Sequence, residues 1–254
     1  MKSTRMLMGM PITVEVVDVS VTAQALENVF AYFTSVEERF STYKEGSEIS
    51  RINAGLLQLP DASADMRAVF ALAEETKQLT LGYFDIRRSD GTIDPSGLVK
   101  GWAILRAARM LEREGFRRYY VEAGGDIQVG GRSADGDAWR VGIRNPFAPE
   151  QIIKIVSIHD RGIATSGTYL RGQHIYNPHD PHASLTETVS ITVIGPDVYE
   201  ADRFATAAFA MGRDGIRFIE RLPGFEAYMI DAAGIASMTS DFPSFVPDHV
   251  AIAR

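Results

Sequence analysis

Thr92-Ile93-Asp94-Pro95-Ser96-Gly97-Leu98-Val99-Lys100-Gly101-Trp102-Ala103-Ile104 places an acid, a Pro-Ser-Gly turn, a lysine and a second glycine ahead of an amphipathic run. Glycine permits a tight turn and close approach of a ligand. A helix N-terminus gathers unpaired N–H groups and the positive end of the dipole, which suits a phosphate. Lys100 adds a mobile positive charge, and Asp94 offers a partner for a sugar hydroxyl, a base edge or a metal. The same residues equally make an ordinary capped loop-to-helix junction, with the helix expected over Trp102 to Glu114 and closed by Gly115.

Working outward, the β-branched alternation from Ile12 to Val21 predicts a strand. Ala25, Leu26, Val29, Phe30, Phe33, Val36 and Phe40 fall at helical spacing, which predicts a helix from Ala23 to Phe40. A polar loop over Ser41 to Asn53 and a second helix over Asp65 to Leu81 follow. Beyond the opening stretch, Tyr119 to Ala123 reads as a strand running into Gly124-Gly125-Asp126, and two or more strands fit between Ile127 and Ile158. Ala164 to Gly167 reads as a loop, Val189 to Ile194 as a strand, Tyr199 to Met211 as a helix, and Phe225 to Ile235 as a hairpin. Helices and strands mix without strict βαβ alternation, which predicts an α+β fold of mixed sheets with packed helices.

Composition narrows the function. The 254 residues are 45% hydrophobic, enough for a real core in one large or two small domains. A net charge of -7 argues against a general nucleic-acid surface, so a phosphate site would be local. With no cysteine, disulfides and thiolate metal sites are excluded. Met1 to Pro11 lacks an export h-region and a lipobox cysteine, and no apolar run approaches the ~18 residues of a membrane span. A cytoplasmic protein without a membrane anchor is expected.

Four constellations carry chemistry. Asp202 and Thr206 lie one helical turn apart, so a carboxylate and a hydroxyl share a face and can hold a hard cation such as Mg²⁺. Helix capping by Asp202 and simple packing of Thr206 explain the pair as well. Tyr43, in the Ser41 to Asn53 loop near Met8-Gly9-Met10, offers a face for stacking, while Ser47, Glu48 and Ser50 resemble a helix start. Gly82-Tyr83-Phe84-Asp85-Ile86 presents two aromatics and an acid that serve either a core or a ligand wall. Finally, Ala164-Thr165-Ser166-Gly167 precedes His174-Ile175-Tyr176-Asn177-Pro178, where His174 is a candidate proton carrier or a solvated loop histidine. His179 and His182 lack the further ligands of a zinc site.

Taken in order, these segments resemble the ApbE family, Mg²⁺-dependent FAD:protein FMN transferases. The resemblance runs from Met8-Gly9 through Ser41-Thr42-Tyr43 with Ser47-Glu48-Ile49-Ser50-Arg51, Gly82-Tyr83-Phe84-Asp85, Asp94 to Gly101 and Val121-Glu122-Ala123-Gly124-Gly125-Asp126. It ends with Ala164 to Gly167, His174 to Pro178 and Ala201 to Thr206. It implies an ApbE-like, T-fold-related architecture, with residues 1–254 as a single domain whose two lobes hold FAD in a cleft. It further implies that Met8, Tyr43, Tyr83, Phe84, Asp85, Asp94, Lys100 and Ser166 contact FAD. Asp202, Thr206 and the Gly97 carbonyl would hold Mg²⁺, and His174 would be the catalytic residue.

The implied reaction moves FMN from FAD to a threonine or serine hydroxyl of an acceptor flavoprotein, releasing AMP and leaving a phosphoester. Water in place of the hydroxyl would make the chain an FAD pyrophosphatase, and a flavin carrier without turnover is a third reading. Two departures stand out. Asn177 occupies a position where the family has an acid, and the segment from Asp85 to Asp94 is shorter than the family's tryptophan-containing stretch.

Overall fold

The computed structural model describes residues 1–167, 175–180 and 185–247. In chain order they form strands β1 (Lys2–Leu7) and β2 (Met10–Val16), then helices α1 (Ala23–Phe40), α2 (Glu48–Asn53), α3 (Ala64–Leu79) and α4 (Ser96–Arg113). Strands β3 (Tyr119–Ala123), β4 (Asp126–Gly130), β5 (Trp139–Asn145), β6 (Ala148–Ile158), β7 (Gly162–Gly167) and β8 (Thr188–Gly195) follow. Helices α5 (Val198–Ala210) and α6 (Gly215–Glu220) precede strands β9 (Glu226–Asp231) and β10 (Ala236–Met238). One sheet of eight strands runs β1-β2-β3-β4-β7-β8-β9-β10, and β5 and β6 form a separate hairpin. The class is α+β, and every described strand pair is antiparallel.

The sheet has two buried faces, and strand alternation sorts residues between them. On β4, Ile127 and Val129 join Trp139, Val141 and Ile158 of the β5–β6 hairpin in one core. Asp126 and Gln128 alternate with them, and the Gln128 Oε1 accepts the Val198 N–H at the start of α5, 2.8 Å away. Helices α1 to α4 pack over β2 and β3 in a second core. Helices α5 and α6 cover β7, β8 and β9 in a third.

Several elements depart from expectation for identifiable reasons. Helix α1 spans Ala23–Phe40 as predicted, capped by Thr22 and burying the seven apolar residues that carried the prediction. The first strand stops at Val16, because Asp18 turns the chain and accepts the Arg117 and Arg118 N–H groups at 3.0 and 2.8 Å. Strand β1 goes beyond the sequence expectation. It is a polar edge strand held to β2 by Lys2–Glu15 and Thr4–Thr13 contacts at 3.2 and 3.0 Å, so it lacks an apolar face to betray it.

Ala164 to Gly167 is strand β7 rather than a loop, because its short polar residues pair their backbone along β8 from Gly162↔Gly195 to Gly167↔Ser190. Part of the loop expected over Ser41 to Asn53 is the short helix α2, with Ser47 accepting the Ser50 N–H at 3.1 Å.

The most consequential difference concerns the opening stretch. Helix α4 begins at Ser96, six residues earlier than Trp102, with Pro95 as its N-cap. Gly97 and Gly101 are therefore helical, and neither adopts a positive φ. Gly101 is needed for a different reason: a Cβ there would lie 2.7 Å from the Asp202 Cβ and 2.8 Å from the Val198 carbonyl. Helices α4 and α5 thus cross in close contact. Arg203, 4% exposed, ties α5 to α3 through the Thr76 hydroxyl at 3.1 Å and pairs with Glu200 of its own helix at 2.7 Å.

The crossing predicts the effect of a single methyl. Gly101→Ala should destabilise the protein by about 1–3 kcal/mol, as expected for overpacking a close-packed contact. The measurement is the urea midpoint, and a midpoint equal to wild type would show that the helices separate at no cost.

Candidate functional site

The α4–α5 crossing sets oxygen donors from two helices against each other. The Thr206 hydroxyl donates to the Gly97 carbonyl at 3.4 Å, and the Ser166 hydroxyl of β7 lies 3.4 Å from the Thr206 hydroxyl. Asp202, 2% exposed, accepts the Gly101 N–H on Oδ2 at 2.8 Å. Beyond it, the Lys100 Nζ sits 2.6 Å from Asp126 Oδ2 and 3.7 Å from Asp202 Oδ1. The other oxygen of Asp126 accepts the Thr165 N–H at 3.0 Å. Two carboxyl groups and one ammonium are therefore gathered largely out of water.

Burial pushes the Asp202 carboxyl above the ordinary carboxylate range. The Lys100 ammonium and the Gly101 N–H oppose this rise, while the neighbouring Asp126 charge adds to it. A buried carboxylate without full compensation favours a cation. The donors here are a carboxylate, a hydroxyl and a carbonyl, all hard oxygens, which suits Mg²⁺ better than a softer metal. Among the described residues, no group of three or more His, Cys, Asp or Glu is placed to hold a metal ion.

These groups line a cleft together with Tyr83, Phe84, Asp85, Asp94, Arg88 and Tyr176. A second pocket is lined by Met8, Met10, Phe40 and Tyr43. Ser96 and Lys100 border both, so the two spaces meet at the first turns of α4. Tyr43 is 97% exposed, with its ring available to a ligand. Met8 occupies the two-residue turn between β1 and β2 at φ 52°, beside Gly9 at φ 71°. Two positive φ values suit this hairpin turn, but a long side chain is unusual in one of them.

Other sequence-predicted residues have structural work as well as a place in the cleft. Asp94 pairs with Arg88 and accepts the Ser96 N–H at 3.0 Å, so its carboxylate caps α4. Asp85 pairs with Lys77 at 2.7 Å and accepts the Arg87 N–H at 2.8 Å. Asn53 exchanges two hydrogen bonds with the Ile93 backbone, at 2.8 and 2.9 Å, and fixes the approach to α4.

The short segment between Asp85 and Asp94 folds into a tight turn through an Arg87↔Ile93 bridge and the Arg88 N–H to Thr92 carbonyl bond of 2.8 Å. The Tyr176 hydroxyl clamps that segment by donating to the Asp85 and Arg87 carbonyls at 3.0 and 2.9 Å. Burial pushes the Tyr176 phenol up to about 12, so it remains a donor.

Asn177 accepts the His179 N–H at 3.0 Å, a turn role that an acid in its place would also fill. His179 packs edge-on against Tyr83, with ring centroids 4.6 Å apart. His174, the expected catalytic residue, lies outside the described residues. Asp126 belongs to this cluster although the sequence assigns it no role. Its signal was present in the Gly124-Gly125-Asp126 turn, but only the pairing of β4 against β7 brings it to Lys100.

Comparison with known proteins gives this geometry a context. Residues 8–90 and 86–229 match the model of the ApbE family. The chain is 33% identical to the FAD:protein FMN transferase of Escherichia coli (strain K12) over 162 residues, 60% of this chain and 46% of that relative. It is 24% identical to the FAD:protein FMN transferase of Haemophilus influenzae over 267 residues, 80% of this chain and 77% of that relative. The matched part thus spans about half the length of the first of these relatives.

The structure superposes on the flavin transferase ApbE from Vibrio cholerae with a TM-score of 0.85 at 24% identity, covering 97% of this chain and 99% of that one. It superposes on the ApbE protein from Thermotoga maritima with a TM-score of 0.84 at 19% identity, covering 98% and 99% of the two chains. At these identities the likeness is one of fold. With the family model matched across most of its length, this chain belongs to the ApbE family.

Proposed function

We propose that this protein is an FAD:protein FMN transferase that moves FMN from FAD to a threonine or serine hydroxyl of an acceptor protein, with release of AMP. The observation that carries the reading is the meeting of two pockets at Ser96 and Lys100, directly beside the Gly97, Thr206 and Asp202 oxygens. A dinucleotide needs two compartments for its ring systems and a charged junction for its pyrophosphate. The naming of relatives as FAD:protein FMN transferases supports the same choice.

Each residue has a physical task. Met8 and Tyr43 line one compartment, where the exposed Tyr43 ring stacks on a flat ring system. Tyr83, Phe84, Asp85 and Asp94 line the other, with Ser166 at its floor near Thr206. Lys100 and the first turn of α4 present positive potential to the pyrophosphate. The Asp202 carboxylate, the Thr206 hydroxyl and the Gly97 carbonyl would hold Mg²⁺, which would supply positive charge against the pyrophosphate.

The acceptor hydroxyl attacks the phosphorus of the FMN half. A new phosphoester bond forms, the pyrophosphate P–O bond breaks, and AMP departs with the electron pair. The hydroxyl proton passes to His174, an assignment that rests on the family resemblance. No described helix is long and apolar enough to cross a membrane.

Incubation with FAD, Mg²⁺ and a flavin-bearing redox subunit should give in-gel flavin fluorescence and an FMN mass increment on the acceptor. Release of free FMN and AMP without labelling would instead make the protein a pyrophosphatase, and absence of AMP would leave a flavin carrier. Asp202→Asn keeps the shape of the side chain but should lower Mg²⁺-dependent turnover by more than about 100-fold, since even outer-shell losses cost 10–100-fold. Its circular dichroism should match wild type, and retained turnover would remove Asp202 from the metal site. Met8→Gly should relieve the left-handed turn and raise stability by about 1 kcal/mol. The same variant should bind FAD more weakly in a fluorescence-quenching titration.

A further inference from the structure

Lys100 is held between two carboxylates that are both buried, and it is not shared equally. Its Nζ lies 2.6 Å from Asp126 Oδ2 but 3.7 Å from Asp202 Oδ1. The asymmetry has a structural cause. Asp126 sits on β4 with its other oxygen bonded to the Thr165 N–H of β7 at 3.0 Å, so the sheet fixes its direction. Asp202 in turn is bonded through Oδ2 to the Gly101 N–H at 2.8 Å, and its Oδ1 is the oxygen that faces Lys100. An ammonium on a flexible four-carbon stem would close the remaining distance if Asp126 did not hold it, since an unscreened buried carboxylate attracts it strongly.

We propose that Asp126 is a positioning residue that holds the Lys100 ammonium away from Asp202 and so keeps the Asp202 carboxylate open to a divalent cation. The inference rests on the metal site read above at Asp202, Thr206 and Gly97. Without Asp126, the protein's own ammonium becomes the competitor for Asp202. With it, lysine and metal occupy adjacent places, and both charges face the same end of the cleft. Asp126 touches neither substrate nor metal in this arrangement. Beyond the direct push of its own charge on Asp202, it acts through Lys100.

The test uses Mn²⁺ binding to the full chain without FAD, followed by electron paramagnetic resonance, together with crystal structures of the metal-free variants. Asp126→Asn should weaken Mn²⁺ binding at least 10-fold, and its structure should show Lys100 Nζ within salt-bridge distance of Asp202. Adding Lys100→Met to that variant should restore the affinity to within 3-fold of wild type. Lys100→Met alone should bind Mn²⁺ at least as tightly as wild type, which decides the matter even if Asp126→Asn does not fold.

Unchanged affinity in Asp126→Asn overturns the proposal. So does a Lys100 that stays in place while affinity falls, since charge loss alone would then be the cause. Weakened binding in Lys100→Met also overturns it. Wild-type protein that binds no Mn²⁺ would instead remove the metal site itself, an outcome the wild-type titration alone reveals.

Discussion

Helices α4 and α5 cross where Gly101 has no side chain, and the Asp202 carboxylate occupies the adjoining space with a bond to the Gly101 N–H. Every functional position on these helices is measured from that crossing. It brings Gly97 to Thr206, Lys100 to Asp202, and the first turn of α4 to the boundary between the two pockets. A larger residue at 101 would separate the helices and pull the oxygens of the site apart. The anchoring of α5 by Arg203 on α3 and by Gln128 on the sheet explains why the helix cannot simply retreat.

Electrostatics and packing reinforce each other at this point. Two buried carboxylates beside one ammonium would be a poor way to stabilise a fold, because desolvation is only partly offset by pairing. Under the proposed function, the cluster serves a ligand that brings positive charge and a pyrophosphate. The core around it is ordinary apolar packing, with Phe204 against Phe218 and Phe225 on one side and Leu98, Trp102 and Ile104 on the other. Stability comes from those contacts, so the charged cluster is free to be shaped by function.

The rim of the cleft shows how a shorter segment can be accommodated. From Asp85 to Asp94 the chain makes a tight turn, tied inward by Asn53 and clamped by the Tyr176 hydroxyl. Arg88 reaches back from this turn to Asp94, placing a guanidinium at the mouth of the cleft beside the cap of α4. Asn177 likewise retains the turn geometry for which an acid is equally suited.

Local pattern was enough for elements whose burial is periodic along the chain. Helix α1 declared itself through seven apolar residues on one face, and the Asp202 to Thr206 spacing placed two oxygens on one side of α5 before any partner was known. Ordered motifs also carried the family. Elements defined by partners far along the chain were illegible: polar β1 is a strand only because β2 lies beside it, and Ala164 to Gly167 is a strand only because β8 does.

Gly97 and Gly101 looked like turn residues, since the sequence carries no sign that a second helix will pass within contact distance. Asp126 gained its partner in the same way, from a sheet that sets residues far apart in sequence side by side. Periodicity reports the solvent and core sides of a single element. Which two elements touch, and therefore which charges share a cavity, is decided by tertiary packing.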